Sequence, residues 1–284
     1  MSKINYKIYP INNIETALEV LGDLIKNVII DLDMHKKYHN ELIKLIVEYF
    51  DKANKTTLKE KNITVPTEEY DNIKDKIICR QMMLLRSLAD EQKASFSYIN
   101  LRRFLKNKGY LSDNLPSEIS EQLNELLKVR NWTFHNVQSN YTARKKVLNK
   151  DLPPYCSVRN IFNPVVINKY LFVDIKELIS HDIHLDKREN VYISILQQMK
   201  TDYEKMYKSS LEYNSGYEIV FTPNGVNTIK KDEEIQYIIN PIYCAQDFKS
   251  ITSKTAQLSM AIQNSKYDGS DEKFNEILSF FLEK

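Results

Sequence analysis

Apolar residues recur every third or fourth position through much of this chain. Ile14, Leu18, Leu21, Ile25, Val28 and Leu32 form one such row, which resumes after His35 and His39 with Leu42, Ile46 and Tyr49. That spacing predicts one long helix, or two nearly collinear ones, with a buried seam. Residues 4–11 fit a short strand or extended arm. Residues 54–66 are polar, close on Val65-Pro66 and predict a loop. A second helical region opens near Thr67 and runs toward Lys108, with Ile73, Ile77, Met82, Leu85, Leu88, Tyr98, Leu101 and Leu105 as its apolar positions and a break expected near 91–94. Gly109 reads as its stop. Pro116-Ser117-Glu118 starts a third helix, whose buried face is Ile119, Leu123, Leu126 and Leu127. That helix leads directly into Arg130.

The second half is more broken. Pro153-Pro154 and Asn163-Pro164 mark an irregular stretch near 149–164, and Val165–Asp174 predicts a strand. Asp186-Lys187-Arg188-Glu189 has capping-box spacing and predicts the start of a fourth long helix that ends near Gly216. Residues 218–222 and 226–229, joined through Pro223-Asn224-Gly225, predict a β-hairpin. Residues 235–239 fit a further strand; 247–264 and 271–283 fit helices. The fold expected is mainly α: an up-and-down helical bundle over 1–215 with an irregular excursion near 149–182, then a small α+β region over 216–284 that contains the hairpin.

Composition agrees: Gly is scarce, at 5 of 284 residues, and 27% of positions are charged. No apolar run approaches the ~18 residues of a membrane span. Three widely spaced cysteines, Cys79, Cys156 and Cys244, suggest free thiols in a reducing compartment. The opening Met-Ser-Lys-Ile-Asn-Tyr lacks a basic-then-apolar leader pattern, so the chain is expected to be cytoplasmic. A net charge of +2 excludes little. Its distribution says more. Residues 80–150 hold 13 Lys and Arg against 6 Asp and Glu; the remainder holds 27 against 32. The basic segment suits a polyanionic partner, although random clustering of charges on solvated helix faces produces the same count.

That basic segment contains Arg130-Asn131-Trp132-Thr133-Phe134-His135. Arg grips a phosphate through two parallel hydrogen bonds and keeps its charge, while His exchanges protons near neutral pH. With 8 Arg, 5 His and 26 Asn in the chain, Arg-Asn-x3-His arises by chance in roughly 1% of such sequences, whereas a loose Arg-x4-6-His arises in roughly four of ten. The specificity therefore lies in the Asn immediately after the Arg. Five residues along an ideal helix leave Arg130 and His135 about 140° apart, while Asn131 and His135 share a face. Asn131 is thus placed to orient His135, and Arg130 needs a helix end or kink that turns it inward. The bland alternative pairs Arg130 with Glu125 or another surface acid and buries His135 beside Trp132 and Phe134.

At these residues the chain resembles the HEPN superfamily, helical nucleotide-binding and ribonuclease domains that carry Arg-x4-6-His, very often Arg-Asn-x3-His. The resemblance covers about a third of the chain, residues 130–136 and the helical run from about 68 that leads into them. It departs from many members in having Asn136 after His135. It implies a metal-independent RNA endonuclease with catalytic Arg130, Asn131 and His135, no cofactor, and a homodimer that places two motifs face to face. It also implies phage defence or a toxin role, with an antitoxin or other regulatory partner. Cations expected to bind RNA are Arg102, Arg103 and Lys106 at the end of the second helix, and Arg144, Lys145 and Lys146 after the motif, with Tyr141 for stacking. The alternative is a non-catalytic helical module that binds RNA or protein.

Two further His pairs carry weaker signals. His35-x3-His39 has metal-ligand spacing but lacks the Glu of a zinc-protease motif and sits in an apolar seam. His181-x2-His184 reads as a loop feature ahead of the fourth helix. No metal site is expected from either. No phosphate-binding Gly-rich loop is present in the sequence.

Overall fold

The computed structural model describes residues 11–53, 59–92, 95–133, 169–231, Leu258, Ala261 and 270–282. The element order is α1 (Ile14–Lys52), β1 (Asn62–Pro66), α2 (Thr67–Ala89), α3 (Tyr98–Asn107), α4 (Ser117–Thr133), β2 (Tyr170–Asp174), α5 (Ile175–Ser210), β3 (Tyr217–Thr222), β4 (Gly225–Lys230) and α6 (Asp271–Leu282). The protein is mainly helical, as expected, with two small antiparallel sheets among the described residues. Among the described residues no helix is long and apolar enough to cross a membrane.

The long seam of α1 is one helix. Asn13 caps it: the Asn13 Oδ1 accepts the Thr16 backbone N–H at 2.9 Å and the Thr16 hydroxyl at 2.6 Å. That satisfies donors which a helix start leaves without partners. The break near 91–94 separates α2 from α3, and α3 is followed after Lys108 by Gly109 at a φ of +77°, a left-handed conformation that glycine adopts without a Cβ penalty. The hairpin forms with Thr222 opposite Gly225, so Pro223-Asn224 is the two-residue turn.

Two expectations fail. Residues 62–66 form strand β1, not loop: β1 pairs antiparallel with β2, Ile63 opposite Val173 and Val65 opposite Leu171. Ile63 and Val65 point into the core while Asn62, Thr64 and Pro66 stay half-exposed. That is the period-two pattern of a strand, compressed into five residues. The fourth long helix starts at Ile175, well before Asp186, and therefore removes residues 175–182 from the expected irregular excursion. His181 and His184 lie within this helix. Expected features at 4–10, 149–168 and 235–239 lie outside the described residues, as does most of 247–264.

The expected division at residue 215 is not the one the chain adopts. It folds into two compact units, each assembled from separate stretches. The first takes the described parts of 11–35, 78–133 and 188–231. Its apolar core joins Leu18, Leu21, Ile25 and Val28 of α1 with Leu84, Leu85 and Leu88 of α2, Leu101 and Leu105 of α3, Leu123 and Leu126 of α4, and Tyr192, Ile195 and Met199 of α5. The second unit takes the described parts of 36–77, 169–187 and 258–282. Its core joins Leu42 and Phe50 with Ile63, Val65, Ile77, Val173, Leu178, Phe274 and Ile277.

Candidate functional site

Helix α4 carries Arg130 into the core of the first unit. The apolar row Ile119, Leu123, Leu126 and Val129 is buried, and Arg130 sits one position further round, in the last turn before Thr133. The residue is only 9% exposed. A guanidinium placed there needs acceptors, because a buried charge without partners is strongly disfavoured. Asp90 supplies one, with its Oδ1 2.8 Å from Arg130 Nη2. The half-buried Asn131 supplies another: Arg130 Nη1 donates to Asn131 Oδ1 at 3.0 Å. Arg130 is thus turned inward at a helix end and paired with an acid, although that acid is the buried Asp90 and neither Glu125 nor another surface acid. Asn131 meets Arg130 through its side-chain carbonyl.

Asp90 had no signal in the sequence; it is one of two adjacent acids just past a helix end. In the structure it is 5% exposed and fixed at several points. Its Oδ1 also accepts the Gln92 backbone N–H at 3.1 Å. Its carbonyl accepts the Ser97 hydroxyl at 2.5 Å and the Asn100 amide at 3.0 Å. The Asn100 amide also reaches the Gln92 carbonyl at 3.0 Å. Gln92 therefore fixes the carboxylate that holds Arg130, and Ser97 and Asn100 fix the backbone of the same residue. His135, Tyr141, Arg144, Lys145 and Lys146 lie outside the described residues.

The cations expected at the end of α3 divide into two kinds. Arg102 is 3% exposed, so the RNA-facing role expected of it is corrected to a core role. Its Nη2 donates to the Asp113 carbonyl at 3.0 Å and to Asp113 Oδ1 at 3.1 Å. Its Nε lies 2.6 Å from Asp202 Oδ2, an ion pair in which the N–H does not point along the contact. Asp202, fully buried, also accepts the Tyr98 hydroxyl at 2.8 Å and the Gln198 amide at 2.9 Å. Burial pushes the Asp202 carboxyl up, against the pull of Arg102, and pushes the Tyr98 phenol up with Asp202 beside it. The hydrogen bond from Lys205 holds Asp113 below its usual range. Arg103, one residue on, points out and pairs with Glu91 at 2.5 Å. Lys106 is exposed and donates to Asn114. These two remain at the surface where a polyanion can meet them.

The histidine pair of α1 finds acids on α5 that the sequence did not identify. In the first unit, fully buried His35 meets Glu189 through Nδ1 at 2.9 Å and the Gln81 amide through Nε2 at 3.2 Å. Tyr192 packs edge-on at 6.2 Å. The Tyr192 hydroxyl is buried without a hydrogen-bond partner among the described residues, and burial pushes its phenol up to about 12. In the second unit, His39 Nε2 lies 2.7 Å from Asp182 Oδ1, and its Nδ1 lies 3.9 Å from Asp186.

A comparison with protein-family models, with curated proteins and with solved structures finds no match to this chain.

Proposed function

We propose that this protein is a metal-independent RNA endonuclease of HEPN type. The observation that supports the reading is the sequence run Arg130-Asn131-x3-His135, whose Arg130 lies in the last turn of α4 and is 9% exposed. RNA brings its own nucleophile, the 2′-hydroxyl. One histidine takes the proton of that hydroxyl as the new O–P bond forms. A second gives a proton to the 5′-oxygen as the old P–O bond breaks, and Arg130 stabilises the charge on the phosphorane between them. The products are a 2′,3′-cyclic phosphate and a 5′-hydroxyl. One chain has one motif, so the reading calls for a homodimer with two motifs across a two-fold axis. A role in phage defence or as a toxin rests on the family resemblance alone.

The test is RNA cleavage in EDTA. The wild type is expected to cut, and His135→Ala to cut about 10²–10⁴-fold more slowly with its melting temperature largely kept. Cleavage abolished by EDTA, or a His135→Ala protein that cuts at full rate, overturns the reading. A second reading, a non-catalytic helical binding module, is favoured by the near-complete burial of the Arg130–Asp90 pair, which suits a packing clamp as well as a cation held for phosphate. No cleavage by the wild type under any condition supports that module.

A further inference from the structure

We infer that Asp90 is the positioning residue for Arg130, an inference that rests on the reading of Arg130 as the cation that meets the scissile phosphate. A guanidinium is planar, and its two-point grip on phosphate depends on the direction in which that plane faces. In this structure both terminal nitrogens are tied, Nη2 to Asp90 Oδ1 at 2.8 Å and Nη1 to Asn131 Oδ1 at 3.0 Å. Two anchors on opposite nitrogens fix the position of the group and the tilt of its plane. Asn131 is the neighbour in sequence and moves with α4. Asp90 belongs to a different stretch of chain, so it sets Arg130 against the rest of the unit.

Asp90 is built for holding. It is 5% exposed, the Gln92 N–H fixes its carboxylate, and Ser97 and Asn100 fix its carbonyl. A carboxylate held this deep is strongly disfavoured without a cation, so it draws Arg130 inward as firmly as it is itself held. The same pairing makes Asp90 a group that acts through Arg130.

A kinetic cycle tests this. Asp90→Asn keeps the shape and an acceptor oxygen but removes the charge. It is expected to lower kcat about 10–100-fold, the scale of a catalytic group displaced by about an ångström, while KM changes less. In an Arg130→Ala background the same change should cost less than about a further twofold, because Asp90 then has nothing left to position. Wild-type kcat in Asp90→Asn, or losses that multiply in the double variant, overturns the proposal and leaves the nuclease reading intact. A wild type that cuts no RNA overturns both. If Asp90→Asn does not fold, Asp90→Glu retains the charge and moves it by one methylene. The proposal then expects a folded Glu variant with lowered kcat, and a wild-type rate in that variant overturns it.

Discussion

Arg102 and Arg130 are two buried arginines of the same helical unit, and they differ in what surrounds them. Arg102 lies mid-helix in α3 between two aspartates, and those aspartates are themselves bound by Tyr98, Gln198 and Lys205. It is one member of a closed network that ties α3 to α5 and to the 110s. Arg130 lies in the last turn of its helix, tied to a carboxylate and to the amide beside it, and the chain leads from it to His135. Both arginines are buried and ion-paired, so burial alone does not tell them apart. The position on the helix separates them, together with the residues downstream of it.

The largest expected effect breaks the first member of the pair. Arg102→Ala strands the fully buried Asp202 and should cost about 3–5 kcal/mol of stability, the scale for one partner removed from a buried pair. Urea or thermal unfolding measures it. RNA binding by whatever fraction remains folded should keep its wild-type salt dependence. A small stability loss with a flattened salt slope would place Arg102 on the RNA path and erase the contrast with Arg130.

Tyr192 sharpens the comparison from the side of an unpartnered group. Its phenol is pushed up to about 12 in the folded protein, against about 10 for an exposed tyrosine. The unfolded chain therefore releases that proton first. The stability this group contributes is complete below about pH 10 and is lost as the pH rises from about 10 to about 12, by an amount on the order of 2–3 kcal/mol. Tyr192→Phe removes a hydroxyl that has no partner among the described residues, so it should change stability little at neutral pH and lessen the alkaline loss. An alkaline unfolding curve that is the same in both proteins would refute this.

The smallest effect is at the surface. Arg103→Glu and Lys106→Glu should each change stability by no more than about 0.5 kcal/mol. If those residues line the RNA path, each should reduce the slope of log affinity against log salt by about one or more. Unchanged slopes in both move the path elsewhere, away from the basic end of α3.

Why sequence pattern foresaw some of this and not the rest is visible in single residues. The seam from Ile14 to Tyr49 was legible because its apolar positions repeat one geometric period over ten turns of helix. Strand β1 was not, because two inward residues ending in Pro66 make too short an alternation, and the partner strand lies about a hundred positions away. The capping-box spacing at Asp186 and Glu189 misled because those acids face other duties inside α5: Glu189 meets His35, and Asp186 lies near His39. Arg102 and Arg103 looked alike in composition, yet adjacent helical residues point about 100° apart, and only Arg102 reaches the aspartates. The candidate site was half legible. Arg130 and Asn131 carried a motif, whereas Asp90 acquires meaning only when folding brings it to Arg130.

The first unit draws on residues 11–35 and again on 188–231. During synthesis its amino-terminal helix emerges long before Tyr192, Ile195 and Met199, against which that helix closes. Helices α2 to α4 can cover part of the apolar face of α1 earlier, but the part that meets α5 stays open until α5 has left the ribosome. Closing contacts between stretches so far apart in sequence slows folding and lengthens the window for aggregation. Overproduced chains, and chains truncated before α5, inherit that hazard most directly.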